Sequence, residues 1–357
     1  MAKSKEDGDV VVKPPLSRRP DNSAFKQQRL PAWSPSLTAN TVLPFFFFMG
    51  ALCLFLGVWL LLTVQGTREI KVDYTDAGNC TTCFDLRKSS ANAHLTCDCI
   101  VTFSLSQKFQ GNVFFYYGLV NFHQNLRRYM DSRDDGQMVG RLKNLKTPSS
   151  YCYPFRLVGG TPVAPCGAVA NSMFNDSFVL QYHPSEGSAV PVSLIRRDIA
   201  WYTDRTVKFR NPSVPNETLA QVFKGTAQPV YWQKPAYELD PSNPSNNGFI
   251  NEDLIVWMRE AAFPTFKKLY GILNRSQGRF EDGLPAGNYS VSISYNYPVE
   301  YFQGRKTVVL STVSWFGGQN HFLPIAYMVT GGLVLVVAMV LTGVHVKVGK
   351  GGLNMEE

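Results

Sequence analysis

Residues 42–64 read VLPFFFFMGALCLFLGVWLLLTV, and the charge-free stretch around them runs from Leu30 to Thr67. A second apolar run, FLPIAYMVTGGLVLVVAMVLTGVHV at 322–346, stops at Lys347. A helix needs about 20 apolar residues to cross the hydrocarbon core, and both runs reach that length. Every other apolar run is short and broken by charge. The chain therefore reads as a two-span membrane protein with nearly all its mass between the spans. The expected division is a tail at 1–41, helices at 42–66 and 322–346, a large middle segment at 67–321 and a second tail at 347–357.

The first run follows a polar tail of about forty residues, too late for a cleaved signal peptide. It reads as a signal anchor, and two spans put both termini on one side. Lys3, Lys5, Lys13, Arg18, Arg19, Lys26 and Arg29 precede the first span, and Lys347 and Lys350 follow the second. The positive-inside rule then predicts cytoplasmic tails, although Arg68 and Lys71 on the other flank pull against it. Two further features support the orientation. Sequons at Asn79, Asn175, Asn216, Asn274 and Asn288 all fall between the spans, roughly twice what chance supplies. Six of the seven cysteines lie there too, with Cys53 inside the first span. An even cysteine count in a glycosylatable segment points to disulfides formed in an oxidising compartment. The middle segment is expected to be an exoplasmic domain of about 250 residues, large enough for its own core.

Cys80, Cys83, Cys97 and Cys99 form two close thiol pairs that zinc could also use. Disulfides are the preferred reading, because the C-x-C spacing is tight for zinc. Cys152 and Cys166 most simply bridge each other, but six cysteines allow about 15 pairings and spacing does not choose among them. Asn79 directly precedes Cys80, so it is the sequon least expected to carry sugar.

Val101, Phe103 and Leu105 alternate with polar residues, as do Val291, Ile293, Tyr295 and Tyr297. Both stretches predict strands. Residues 306–315 (KTVVLSTVSW) follow a Gln303-Gly304 turn and are expected to pair with the preceding strand as a long hairpin. Residues 112–120 are apolar on both faces, as in a central strand. One helix is predicted around Phe122, Leu126 and Tyr129. A second is capped by Asn251, with Leu254, Trp257, Met258 and Ala261 on one face; Phe266, Leu269, Tyr270 and Leu273 continue its spacing beyond Pro264. The fold class is thus two transmembrane helices flanking a β-rich domain of antiparallel, sandwich-like sheets, with helical insertions and disulfides.

Residues 243–254 resemble a calcium loop, but Leu254 stands where a bidentate Glu is needed and a polar turn explains the residues better. Asp134 and Asp135, beside Arg127, Arg128 and Arg133, read as a solvated ion-paired surface. His94, His123, His183 and His321 show no metal spacing, and no nucleophile or phosphate-loop motif occurs. The expectation is a chain with no catalytic residue, no metal and no cofactor. The spans lack ionisable residues apart from His345, which argues against a transport path. They do carry Gly50, Ala51, Gly57, Gly331, Gly332, Ala338 and Gly343, small residues that permit helix docking. The net charge of +8 is spread over tail and middle segment, which is no nucleic-acid footprint.

Five strings carry a resemblance: RPDNSAFKQQRLPAW at 19–33, GNVFFYYGL at 111–119, APCGAVANSMFN at 164–175, NNGFINED at 246–253 and LPAGNY at 284–289. With them the chain resembles the accessory (beta) subunits of phospholipid flippases, the cell-cycle protein 50 or transmembrane protein 30 family. The match covers nearly the whole chain and looks like a vertebrate-type member, the second paralogue. The resemblance implies a non-catalytic partner of a lipid-translocating P-type ATPase, in a one-to-one heterodimer among membrane lipids. Such a subunit is needed for export from the endoplasmic reticulum and supports the phosphorylation cycle. Residence in the endoplasmic reticulum, Golgi and plasma membrane follows. The resemblance also implies the nested pairs Cys80–Cys99 and Cys83–Cys97, the pair Cys152–Cys166, and a glycan at Asn175 foremost. The rival reading is a subunit of a two-span ligand-gated cation channel, which shares the topology but should form homotrimers. A luminal glycosyltransferase is disfavoured by the second span and the missing Asp-x-Asp.

Overall fold

The computed structural model describes residues 22–31, 37–276 and 278–353, with side chains as far as 348. The two tails, and the string at 19–33, lie partly outside the described residues. Five helices matter here: α1 (Ala39–Gln65), α2 (Cys80–Arg87), α3 (Ala168–Asn171), α4 (Glu252–Met258) and α5 (Phe322–Leu353). The apolar parts of α1 and α5, Ala39–Gln65 and Phe322–Val348, have 27 residues each. At the helical rise each is about 40 Å long, more than the ~30 Å hydrocarbon core. The distal halves of α1 and α5 form one compact unit, and Phe55–Met328 forms the other.

In the second unit nine strands build two antiparallel sheets. They are β1 (Glu69–Asp73), β2 (Asp98–Leu105), β3 (Val113–Val120), β4 (Ser177–His183), β5 (Val190–Val192), β6 (Leu194–Ile195), β7 (Phe266–Leu273), β8 (Gly287–Ser294) and β9 (Arg305–Thr312). One sheet has the order β1-β9-β3-β7-β6 and the other β2-β8-β4-β5. The doubly apolar β3 sits at the centre of the first sheet, because both of its faces must be covered. Phe115 of β3 and Tyr270 of β7 meet Phe178 of β4 with ring centroids 5.5 and 4.9 Å apart. This aromatic layer joins the two sheets into a sandwich.

Three expectations are corrected. The spacing of Phe266, Leu269, Tyr270 and Leu273 belongs to strand β7 rather than to a helix. A β-bulge between Leu269 and Gly271 shifts the alternation by one residue, so Tyr270 and Leu273 are both buried while Phe266 and Leu269 are only half-buried. The residues before and after Gln303 do not form a hairpin: β8 and β9 lie in different sheets. The amides of Asn296 and Tyr297 donate to Asp176 Oδ1, each at 2.6 Å, instead of continuing a ladder. Pro298 offers no donor, and left-handed Gln303 turns the chain into β9. Around Phe122 the helix shrinks to Arg127–Met130, because the Phe122 amide is bound by Pro264 O at 2.9 Å.

Candidate partner interface

Helix α4 is the hub from which the surface loops hang. Asn251 caps it by accepting from Leu254 N at 3.0 Å, and Leu254, Ile255, Trp257 and Met258 are buried. A buried acidic residue in the first turn must find donors. Glu252 finds three backbone amides outside its helix, those of Asp198, Ile199 and Ala200 at 3.0, 2.8 and 3.1 Å. Downstream, buried Asp204 pairs with Lys208 and Arg259 at 2.7 and 2.8 Å. Burial works to raise the Asp204 carboxyl, but its bonds and charges from Lys208 and Arg259 hold it below the usual range. The Arg259 guanidinium also lies 3.9 Å from the Trp201 ring. The segment is thus fixed from beneath, while Trp201 and Tyr202 remain 63% and 73% exposed.

A second display stands on α3. Trp257 and Trp232 donate from Nε1 to Val169 O and Ala170 O, both at 2.7 Å. Tyr231 N donates to Asn171 Oδ1 at 3.2 Å, and the Tyr231 ring lies 6.5 Å from that of Phe155. The Cys152–Cys166 disulfide holds the neighbouring chain. Tyr151, Tyr153 and Tyr231 are 70%, 79% and 68% exposed. Exposed tyrosine and tryptophan side chains supply contact area at low entropic cost, the character of binding hot spots.

The six middle cysteines form three bonds, Cys80–Cys99, Cys83–Cys97 and Cys152–Cys166, leaving Cys53 free. No zinc ligand set remains, and among the described residues no cluster of three metal-ligating side chains occurs. Asn175, Asn216 and Asn288 are exposed, whereas Asn274 is half-buried and its Oδ1 is engaged by Ser276. The exposed Asn79 accepts from Ile100 N at 3.0 Å, so its side chain is already committed. The calcium-like loop is an asparagine-knit turn: Asn246 Oδ1 accepts from Glu252 N, and Asn247 Oδ1 from Asp240 N. The solvated-pair reading holds for Asp135, 3.0 Å from Arg133, but not for Asp134. Asp134 is buried and accepts from Gln137 N, Asn144 Nδ2 and Ser149 N, because it caps the turn that begins at Asp135.

Several elements escaped the sequence reading: the clamps Glu252 and Asp204, the displayed Trp201 and Tyr202, and the buried pair Asp176 and Lys306. Lys306 offered a signal, a charge at the mouth of a β-branched run. In the spans, Gly50, Gly57 and Gly331 let helices approach. A Cβ on Gly50 would meet Leu335 at 2.7 Å, and one on Gly57 would meet Met328 at 2.6 Å. Gly332 and Gly343 face open space. This arrangement is equipped to grip a partner; the buried charges of Glu252, Asp204, Asp176 and Lys306 serve the fold's own bonds.

The pattern of the LEM3 (ligand-effect modulator 3) family / CDC50 family matches residues 60–351. The chain belongs to this family. It is 49% identical to mouse "Cell cycle control protein 50A", over 97% of this chain and 95% of that one. It is 48% identical to human "Cell cycle control protein 50B", over 93% and 95%. Similarity reaches "ALA-interacting subunit 3" of Arabidopsis thaliana, at 36% over 94% and 88%. A further CDC50 member, bovine "Cell cycle control protein 50C", is also 49% identical. Near-equal identity to the A, B and C relatives places the chain in the family without selecting one paralogue.

Proposed function

We propose that this chain is the non-catalytic accessory subunit of a lipid-flipping P-type ATPase. In this reading it pairs one-to-one with the catalytic subunit and is needed for its folding, its export from the endoplasmic reticulum and its phosphorylation cycle. Family membership over residues 60–351 carries the proposal. The name of the plant relative, an interacting subunit, agrees with it. Two apolar helices, three disulfides and two rigid aromatic displays suit a large, permanent interface of the obligate class. Binding only the folded ATPase would favour its export-competent state by mass action.

Residues 67–321 then face the exoplasmic side, with glycans at Asn175, Asn216, Asn274 and Asn288 and least at Asn79. Both tails are cytoplasmic, and residence runs from the endoplasmic reticulum through the Golgi to the plasma membrane. Affinity purification of the full chain from mild detergent tests the reading. A P-type ATPase is expected at one-to-one stoichiometry, with no ATP hydrolysis by the chain alone. A homotrimer without an ATPase, the mark of a channel subunit, refutes it.

A further inference from the structure

A cleft of about 430 Å³ opens where the chain leaves α1 for β1 and where it enters α5. Gln65, Arg68, Gln107, Gln319 and His321 line it. Among the described residues none of these five side chains has a hydrogen-bond or ion-pair partner in the protein. Glu69 also lines the cleft, but its carboxylate is held by Lys267 Nζ at 2.5 Å. Arg68 therefore brings an unpaired positive charge to the cleft, and Gln65, Gln107, Gln319 and His321 surround it as further donors.

Depth identifies the ligand class. Trp59 of α1 stacks on Trp315 with ring centroids 5.3 Å apart, and tryptophans gather at the boundary between hydrocarbon and water. Gln65 lies six residues farther along α1, about 9 Å at the helical rise. Headgroups add roughly 5–8 Å beyond the hydrocarbon on each side, so the cleft stands at the outer edge of that layer. Toward the hydrocarbon the same helix exposes Phe55, Val58 and Leu62. An unpaired guanidinium with amide and imidazole donors matches a phosphate, and the apolar helix surface beside it matches acyl chains.

We propose that this cleft binds the phosphodiester of a phospholipid headgroup, with Arg68 as its charged anchor and His321 and the glutamines as further donors. Free phosphate would satisfy the polar half of the site, but the apolar helix surface favours the lipid. The proposal needs only that the two helices cross a bilayer.

Native mass spectrometry of the full-length chain in mild detergent tests it, with dihexanoyl-phosphatidylcholine, dihexanoylglycerol and inorganic phosphate as probes. One phospholipid per chain should be retained and the phosphate-free diacylglycerol should not. Arg68→Gln should lower retention about ten-fold, the worth of one charge-assisted pair, while Arg68→Lys keeps part of it. His321→Ala and Gln319→Ala should weaken it independently and serve as the test if Arg68→Gln fails to fold. Retention of the diacylglycerol, unchanged retention in the folded variants, or displacement by inorganic phosphate as effective as by phospholipid would each overturn the assignment. No ATPase is involved, so failure here leaves the subunit reading standing.

Discussion

Lys306 Nζ stands 2.6 Å from Asp176 Oδ2, and both side chains are fully buried. Lys306 belongs to β9 and Asp176 immediately precedes β4, so the pair staples one sheet to the other. The carboxylate also accepts from Tyr74 Oη at 2.8 Å, while the ammonium donates to Tyr297 O at 2.8 Å. Burial pushes the Lys306 amine down to about 8, against the pull of Asp176. Removing one partner of such a pair strands the other charge and costs about 3–5 kcal/mol. Lys306→Met should therefore lower stability by that order in denaturant titrations of the purified chain. Adding Asp176→Asn, which preserves the Asn175 sequon, should restore part of the loss. A single variant as stable as the parent would contradict the staple.

Glu252 offers a milder test. Its carboxylate receives three amides from 198–200, and a neutral amide in its place weakens charge-assisted bonds. Glu252→Gln should cost roughly 2 kcal/mol and raise hydrogen exchange at 198–208 first. Trp201→Ala, whose ring is mostly exposed but carries the Arg259 guanidinium, should cost no more than about 1 kcal/mol of stability yet reduce the amount of co-purifying ATPase. Equal recovery of the ATPase would remove Trp201 from the interface.

What the sequence disclosed follows from the range of the forces involved. The spans were legible because length and apolarity alone set them. Helix α4 was legible from its local cap, and β3 from its two apolar faces. The misreadings arose where distant residues decide. The bulge in β7 changes the burial period, and Asp176, 120 residues from Asn296, captures the amides that a hairpin would have used. The displays at Trp201 and Tyr231 were hidden for the same reason, since Glu252 and α3 hold them across long separations. Cysteine spacing gave the presence of disulfides but could not choose among the pairings.

Adjacent glycines in α5 should respond oppositely to enlargement. A Cβ on Gly331 would lie 2.9 Å from Gly50 O and Leu54 N, backbone atoms that cannot swing aside. Gly332 has nothing within 4 Å. Gly331→Val should destabilise the helix pair by about 1–3 kcal/mol, whereas Gly332→Val should be neutral in the isolated chain. Thermal unfolding in detergent compares them directly. Equal melting temperatures would show that the glycine contact does not set the helix spacing.

Lys268 supplies a pH signature. Its amine donates to Val256 O, Trp257 O and Arg259 O at 3.1, 2.6 and 2.7 Å, collecting the carbonyls where α4 ends. Burial pushes it down to about 7, opposed by the charge of Glu260. In the unfolded chain a lysine keeps its proton to about pH 10.4. Between these values the unfolded state binds a proton that the folded state has released, so stability from this group rises with pH. Below pH 7 both states are protonated and the term is flat. The penalty of Lys268→Met should therefore grow by about 2 kcal/mol between pH 7 and pH 9, at roughly 1.4 kcal/mol per unit. Denaturant titrations of parent and variant at both pH values measure the difference. A penalty that stays level between pH 7 and pH 9 would mean that the three carbonyls hold the lysine charged in the folded state and that burial does not govern it.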